Sequence, residues 1–144
     1  MKLIVNIDGA SRGNPGPSAA AMVISDEGER VLATKSKYLG DGLTSNVAEW
    51  SALEGAVTAL LHLCRRAGRV EAEIRSDSEL LVRQFNGQWK IKSPPLAEIA
   101  GRVKSLLAQS QNLKVKVVHV PREENVLADA AANRELDSRL KIKH

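Results

Sequence analysis

The chain has 144 residues and a mass of 15.6 kDa, which fits one domain because domains most often contain about 100–150 residues. Apolar residues make up 43% of it and aromatic residues only 3%, and its formal net charge of +4 favours a polyanionic partner. The single cysteine, Cys64, excludes an internal disulfide framework and a multi-cysteine zinc site. No apolar run approaches the roughly 18 residues that span a bilayer. We therefore expect one cytoplasmic domain over residues 1–144 that does not enter a membrane.

The amino-terminal part of the chain predicts three strands. Residues 3–8 alternate between apolar and polar side chains, and residues 19–25 form a second apolar run. Between them, residues 9–17 are rich in glycine and proline, which favour turns. A tight reversal at residues 26–29 leads to a third strand over residues 30–36, so the second and third strands should form an antiparallel hairpin.

A long helix should follow from about Thr44. Apolar residues recur there at helical spacing, and a stripe of alanines beside them allows close packing. The apolar residues are Trp50, Leu53, Val57, Leu60 and Cys64. Thr44 or Ser45 can cap the helix, and Gly68 ends it.

The second half of the chain alternates strands and helices. Strand alternation returns at residues 70–76, residues 78–85 form a short helix, and a Ser-Pro start gives a helix over residues 93–108. A final strand covers residues 113–120, and a last helix covers about residues 125–140. Because strand–helix–strand crossovers follow an antiparallel hairpin, this order predicts an α/β fold, with a mixed sheet and helices against its faces.

Two aspartates are predicted at the ends of strands. Asp8 is the last residue of the first predicted strand, and Asp77 is the last residue of the fourth. If these strands are parallel neighbours, both carboxylates emerge at the carboxyl edge of the sheet, where open α/β sheets place their ligand sites.

Two further acidic residues lie on helices. Glu49 lies one turn into the long helix on a largely apolar face, where an unpaired carboxylate is costly, and Asp129 lies among alanines near the start of the last helix. Glu49 and Asp129 could each interact favourably with the dipole at the start of a helix, and Asp77 could be a helix N-cap. These roles leave Asp8 unexplained. Four converging carboxylates repel one another unless a cation neutralises them, and oxygen ligands without histidine or cysteine indicate Mg²⁺ or Mn²⁺. Two such ions about 4 Å apart are the usual clamp for attack on a phosphodiester.

Short motifs accompany the four carboxylates. In chain order they are Asp8-Gly9, Gly13-Asn14-Pro15-Gly16-Pro17, Thr44-Ser45-Asn46 ahead of Glu49, Ser76-Asp77-Ser78, and Asn125 with Ala128-Asp129. In order and spacing they resemble the type 1 ribonuclease H family over residues 3–133. The resemblance implies a five-stranded mixed sheet with helices on both sides. It also implies an endonuclease that hydrolyses the RNA strand of RNA–DNA hybrids and leaves 5′-phosphate and 3′-hydroxyl ends.

The resemblance implies catalytic and metal-binding roles for the four carboxylates. Asp8 would bridge two Mg²⁺ ions, for which Mn²⁺ is a possible substitute. Coordination of these ions would be completed by Glu49, Asp77 and Asp129. One ion would lower the pKa of the attacking water, and the other would stabilise the leaving 3′ oxygen.

The resemblance also implies contacts with the hybrid. Gly9, which lacks a Cβ, would let the backbone approach the RNA strand, and Thr44 would help to hold a DNA phosphate. Contacts with ribose 2′-hydroxyls and minor-groove edges would come from Asn14, Asn46 and Ser78, and a further contact from Ser11. Asn14 could instead stabilise its turn, and Thr44 and Asn46 could cap the long helix; the two kinds of role are compatible.

Two family features are reduced in this chain. Some members carry a basic, tryptophan-containing protrusion that grips the hybrid, whereas residues 88–92 lead directly to the next helix here, so we expect a short form without it. Trp89 lies between basic residues and could stack on a base or touch a phosphate, or it could cover the edge of the core.

Some members also place a histidine in the loop before the last aspartate. Residues 121–125 contain none, and Arg122 or Glu123 could serve near the scissile phosphate.

Two other functions are open at this point. The chain could be a non-catalytic module that binds hybrid or duplex on the same fold, or another phosphodiester enzyme such as an integrase- or resolvase-like nuclease. The four carboxylates disfavour the first function, and the Gly-Asn-Pro-Gly turn with Thr44 and Asn46 disfavours the second. We therefore expect a monomeric, metal-dependent ribonuclease with an RNA–DNA hybrid as its partner.

Overall fold

The protein folds around one five-stranded sheet. Its structure, a computed structural model, describes residues 1–140. The elements are β1 (Lys2–Ser11), β2 (Gly16–Asp26), β3 (Val31–Leu43), α1 (Ser45–Ala67), β4 (Val70–Ser76), α2 (Glu79–Phe85), α3 (Pro94–Ala108), β5 (Leu113–His119), a short 3-10 turn (Arg122–Glu124) and α4 (Val126–Leu140). The element order predicted from the sequence is confirmed.

The sheet is mixed, with the strand order β3-β2-β1-β4-β5. β1 pairs with β2, and β2 with β3, in antiparallel fashion. β4 lies parallel to β1 on the other side, and β5 lies parallel to β4. This arrangement confirms the predicted α/β class and places the carboxyl ends of β1 and β4 side by side.

Helices cover both faces of the sheet. On one face, alternate residues of β1 and β2 pack with the apolar stripe of α1 and with α3 in the main core. The five residues of the predicted stripe, from Trp50 to Cys64, are all buried there. On the other face α4 packs through alanines, with Ala131 and Ala132 against Ala21 of β2. Side chains this small let α4 lie close to the strands.

The amino-terminal strands are longer than the sequence pattern predicts. β1 continues to Ser11 because residues 9–11 pair with residues 18–20 of β2, so Asp8 is not the last residue of the strand and the turn is shorter than predicted. β3 continues to Leu43 because it follows β2 through several register shifts. β4 ends at Ser76, so Asp77 is the first residue after the strand, not its last.

Other boundaries differ by one or two residues. β5 ends at His119, and Ser78 is the N-cap of α2 instead of a helical residue. Between α2 and α3, residues 86–93 contain no helix or strand, as expected for a chain without an inserted protrusion. No helix in the described part of the chain is long and apolar enough to cross a membrane.

A close approach between β1 and α1 sets the position of the long helix. A Cβ on Gly9 would overlap the backbone atoms of Ala48 and Glu49. Only glycine therefore lets the start of α1 lie directly on β1, next to Asp8. The sequence-based role of Gly9 in approaching the RNA strand stays a prediction, but the structure supplies a packing reason for this glycine.

We expect Gly9→Ala to destabilise the fold by at least about 2 kcal/mol, since overpacking a filled site typically costs about 1–3 kcal/mol and the overlap here is with backbone. The measurement is the free energy of unfolding in urea. Gly101→Ala is the matched control: the added Cβ meets nothing within 4 Å, and alanine is favoured over glycine in a helix interior by about 0.5–1 kcal/mol. Equal stability of the two variants would contradict the packing role of Gly9.

Candidate active site

Asp8 and Asp77 are brought together by the parallel pairing of β1 and β4. The paired positions run from Lys2 opposite Glu71 to Asn6 opposite Arg75. Continuing this register by two residues places Asp8 opposite Asp77, immediately beyond the ladder. The sequence-based expectation that these two carboxylates share the carboxyl edge of the sheet is therefore confirmed.

Glu49 reaches the same place from α1. Its side chain is buried, with 8% exposed, on the turn of α1 that lies against Gly9. Oxygens of Asp8, Glu49 and Asp77 lie within 4.8 Å of one another. We call these three residues the carboxylate cluster.

Asp129 enters from the opposite face of the sheet, in the first turn of α4. Its carboxyl group contacts that of Asp8. Its helix is anchored by the buried Asn125, whose Nδ2 donates to the carbonyl of Ile7 at 2.8 Å and whose Oδ1 accepts from Asn6 at 3.0 Å. Because Asn125 is bonded to β1 next to Asp8, it sets where Asp129 meets the cluster.

The burial and proximity of these groups raise the pKa of two of them. The pKa of Asp8 is raised from 3.8 to about 7, first by burial and then by the charges of Asp77 and Asp129. Burial and the charges of Asp8 and Asp77 hold the pKa of Glu49 well above its usual range, although the backbone of Gly9 partly opposes this shift. Both shifts mean that the ionised forms of Asp8 and Glu49 are disfavoured in the folded protein relative to water.

The carboxylate cluster suits a small divalent cation. It contains only carboxylate oxygens, which are the ligands that Mg²⁺ and Mn²⁺ prefer. Within the described part of the chain, the Glu49 Oε2 atom is buried without a hydrogen-bond partner. A cation would satisfy this oxygen and offset the repulsion that raises the two pKa values. The predicted metal site is thus chemically consistent with the residues that the fold assembles.

An open cleft of about 460 Å³ lies over the four carboxylates. Three of the sequence-predicted contact residues, Gly9, Ser11 and Arg122, line it. Ser45 and Asn133 also line the cleft, and the sequence analysis did not select them. Asn133 lies one helical turn after Asp129, and this spacing is the signal that could have found it.

Three other predicted contact residues have structural roles at helix starts. The Asn14 side chain accepts from the backbone N–H of Ser45 at 3.0 Å. Thr44 Oγ1 accepts from Val47 N at 3.2 Å, and Ser78 Oγ accepts from Leu81 N at 3.2 Å. None of the three lines the cleft itself. Their contact with a hybrid stays a prediction, alongside capping roles that the structure does show.

Asn46 faces the interior of the protein. Its Nδ2 donates to Gln84 Oε1 at 3.4 Å, and the same oxygen accepts from Trp50 Nε1 at 2.9 Å. Its Oδ1 is buried and has no hydrogen-bond partner within the described residues. The sequence pattern does not single out Gln84, because it is brought to α1 only by packing of α2.

Trp89 lies away from the carboxylates, in the segment between α2 and α3. Its side chain is 43% exposed, and the Arg83 guanidinium lies 5.1 Å from the ring centroid. The ring thus lies against a cation on the surface of the protein, and its contact with a hybrid stays a prediction.

Comparison with known proteins gives matches over nearly the whole chain. A family model described as reverse transcriptase-like matches residues 6–135. Ribonuclease HI of Halobacterium salinarum is 37% identical over 130 residues, which are 90% of this chain and 62% of that protein. A bifunctional protein of Mycobacterium tuberculosis is 33% identical over 138 residues, or 96% of this chain, but the chain spans only 36% of that relative. The crystal structure of LC11-RNase H1 in complex with an RNA/DNA hybrid has a TM-score of 0.89 and 38% identity, covering 96% of this chain and 99% of that one.

The raised pKa of Asp8 predicts how stability without metal depends on pH. A carboxyl group whose pKa rises on folding, here from 3.8 to about 7, stabilises the fold fully below its unfolded pKa and loses that contribution as the pH rises through about 7. In EDTA at pH 8, we expect Asp8→Asn to increase the free energy of unfolding by roughly 2–4 kcal/mol, since each pKa unit corresponds to about 1.4 kcal/mol.

This prediction is checked by urea unfolding of both proteins between pH 4 and pH 8. The advantage of the variant should disappear near pH 4. Added Mg²⁺ at pH 8 should raise the melting temperature of the wild type more than that of Asp8→Asn, because the variant lacks one charged ligand. A pH-independent difference between the two proteins would contradict the assigned cause.

Proposed function

The chain belongs to the type 1 ribonuclease H family, and we propose that it is an endonuclease that hydrolyses the RNA strand of RNA–DNA hybrids, leaving 5′-phosphate and 3′-hydroxyl ends. The observation that carries this proposal is the meeting of Asp8, Glu49, Asp77 and Asp129 under one open cleft. These are the four carboxylates that the sequence motifs predict.

The similar proteins support the substrate. LC11-RNase H1, which this chain covers over 99% of its length, is seen with an RNA/DNA hybrid. Ribonuclease HI of Halobacterium salinarum is similar over 90% of this chain. The mycobacterial relative is almost three times as long as the matched region, so its second activity is not carried over to this chain.

We propose that the four carboxylates hold two Mg²⁺ ions, which Mn²⁺ can replace. When bound, such ions supply a water of lowered pKa and stabilise the negative charge of the leaving 3′ oxygen. Asp8 belongs to the carboxylate cluster and contacts Asp129, so it would be a ligand of both ions. Glu49 and Asp77 would complete the coordination on the cluster side, and Asp129 would do so on the side toward α4.

The carboxylate side chains are preorganised in the absence of the substrate. The fold buries Asp8 and Glu49, and the start of α1 lies directly against Gly9, the residue after Asp8. Preorganised charges of this kind avoid the reorganisation that water would require during the reaction. Arg122 lines the same cleft, so its guanidinium is placed to contact a phosphate of the RNA strand.

The remaining contacts with the hybrid follow from where the residues lie. Ser11 lines the cleft beside the carboxylates. We propose that Thr44, at the start of α1, helps to hold a DNA phosphate, since helix amino termini favour phosphates. Contacts with minor-groove edges and with ribose 2′-hydroxyls, which distinguish RNA from DNA, are assigned to Asn14, Asn46 and Ser78, and Gly9 would let the backbone approach the RNA strand.

The proposed enzyme acts as a monomer in the cytoplasm. All four carboxylates come from one chain, so the site needs no second copy. Cys64 is free and buried, as is common in proteins of a reducing compartment.

We expect Asp77→Asn to abolish cleavage of the RNA strand, with a loss of at least about 100-fold in kcat, because it removes a charged ligand of the proposed ions. The measurement uses an end-labelled RNA–DNA hybrid with and without Mg²⁺ or Mn²⁺, beside single-stranded RNA, duplex RNA and duplex DNA. Glu71→Gln, near the opposite end of the strand that Asp77 follows, is the matched control and should cleave normally.

The outcomes separate the candidate functions. Metal-dependent cutting of RNA only in the hybrid supports the proposal. Binding of the hybrid without cleavage under either metal would indicate a binding module instead, and cleavage of duplex DNA would indicate a different phosphodiester enzyme. Full activity of Asp77→Asn would show that the metal assignment is wrong.

Trp89 should contribute to binding of the hybrid. Stacking of a base on an aromatic side chain is worth about 1–3 kcal/mol, so we expect Trp89→Ala to weaken binding roughly 5- to 100-fold. Fluorescence anisotropy with labelled hybrid, in the inactive Asp77→Asn background, measures this. Leu32→Ala, at an exposed apolar residue of β3, is the control. An unchanged dissociation constant would assign Trp89 no role in binding.

A further inference from the structure

Asp129 is held differently from the other three carboxylates. Asp8, Glu49 and Asp77 form the compact carboxylate cluster, in which Asp8 and Glu49 are buried. Asp129 is not one of the cluster residues; it is partly buried, in the first turn of α4. Its orientation therefore depends on the hydrogen bonds that α4 supplies.

Asn133 provides that restraint. Its Nδ2 donates both to the backbone carbonyl of Asp129 at 2.9 Å and to Asp129 Oδ1 at 3.2 Å. One amide group thus holds the backbone and the carboxylate of the same residue, which fixes the side-chain torsion between them. Asn133 also lines the cleft.

Arg12 determines which way the Asn133 amide faces. Its Nη2 donates to Asn133 Oδ1 at 3.2 Å and to the Asn133 carbonyl at 3.4 Å. Because a guanidinium can only donate and an ionised carboxylate can only accept, the amide oxygen must face Arg12 and the amide nitrogen must face Asp129. The neighbours on the two sides therefore allow only one orientation of the amide.

Asp137 in turn holds Arg12. Its Oδ1 lies 2.7 Å from Arg12 Nη2, and both side chains are 33% exposed. An ion pair with this exposure contributes little to stability, so its main consequence is geometric. The result is a continuous chain of hydrogen bonds, Asp137–Arg12–Asn133–Asp129, that connects the start of the β1–β2 turn to the proposed metal site.

We propose that Asn133 and Arg12 are positioning residues that hold the Asp129 carboxylate ready for the cation it shares with Asp8. This inference rests on the proposed function, because it assumes that Asp129 is a metal ligand. Hydrogen-bond partners of a metal ligand typically change metal affinity by 10- to 100-fold when they are removed. Loss of Asn133 should weaken the binding of the ion that depends on Asp129 and leave the affinity for the ion held by the cluster unchanged.

The test is a calorimetric titration of the whole protein with Mn²⁺. Asp129→Asn first identifies which part of the binding depends on Asp129. Asn133→Leu, which keeps the shape but removes both hydrogen-bonding groups, should raise the dissociation constant of that part about tenfold. Combined with Asp129→Asn, it should cause no further change, because the residue through which it acts is already altered.

Matched variants separate positioning from general damage to a helix. Thr58→Val removes a side-chain bond to a carbonyl four residues earlier in α1, the same kind of helical bond without a carboxylate, and should leave Mn²⁺ binding unchanged. Arg12→Met should weaken binding, whereas Arg12→Lys, which keeps a charged donor, should restore most of it. Arg12→Met also tests the proposal if Asn133→Leu does not fold, as judged by circular dichroism.

The results distinguish this inference from the function it rests on. A wild type that binds Mn²⁺ and cleaves hybrid, with an unchanged titration for Asn133→Leu and Arg12→Met, would overturn the positioning role alone. An equal loss of Mn²⁺ affinity on adding Asn133→Leu to the wild type and to Asp129→Asn would also overturn it, since the effect would then not depend on Asp129. A wild type that neither binds Mn²⁺ nor cleaves hybrid would overturn the proposed function and the inference together.

Discussion

The contact between Gly9 and the start of α1 is the constraint on which the site depends. It places the α1 backbone against β1 at the residue after Asp8, so Glu49 lies beside Asp8. The parallel pairing of β1 and β4 then adds Asp77. A larger residue at position 9 would move the helix outward, and the cluster would lose one of its three members.

The cost of this arrangement is electrostatic. Buried carboxylates within 4.8 Å of one another raise the pKa values of Asp8 and Glu49, which means that the metal-free fold gives up stability at neutral pH. The main core, and the hydrogen bond by which Asn125 connects α4 to β1, offset this unfavourable electrostatic free energy. A cation reverses the cost, so binding and folding are coupled.

The two sides of the site are built by different physical means. On the cluster side, close packing of the strands and α1 positions the carboxylates. On the α4 side, Ala131 and Ala132 pack against the sheet near Asp129, and a polar chain through Asn133 and Arg12 adds a restraint on the Asp129 side chain. This division explains why the carboxylates enter from both faces of the sheet and still meet at one edge.

The sequence by itself determined the element order, the mixed sheet and the four carboxylates, because hydrophobic period, turn residues and helix caps are local signals. The ends of β1 and β3 depended on tertiary pairing, since residues 9–11 and 37–43 have a glycine-containing pattern that favours no strand until β2 lies beside them. Tertiary structure alone also decided the surroundings of Asp129, because Arg12 and Asn133 are 121 residues apart in the chain. Residues so distant meet only when the packing of α4 on the sheet brings them together, and no periodicity in the sequence records that contact.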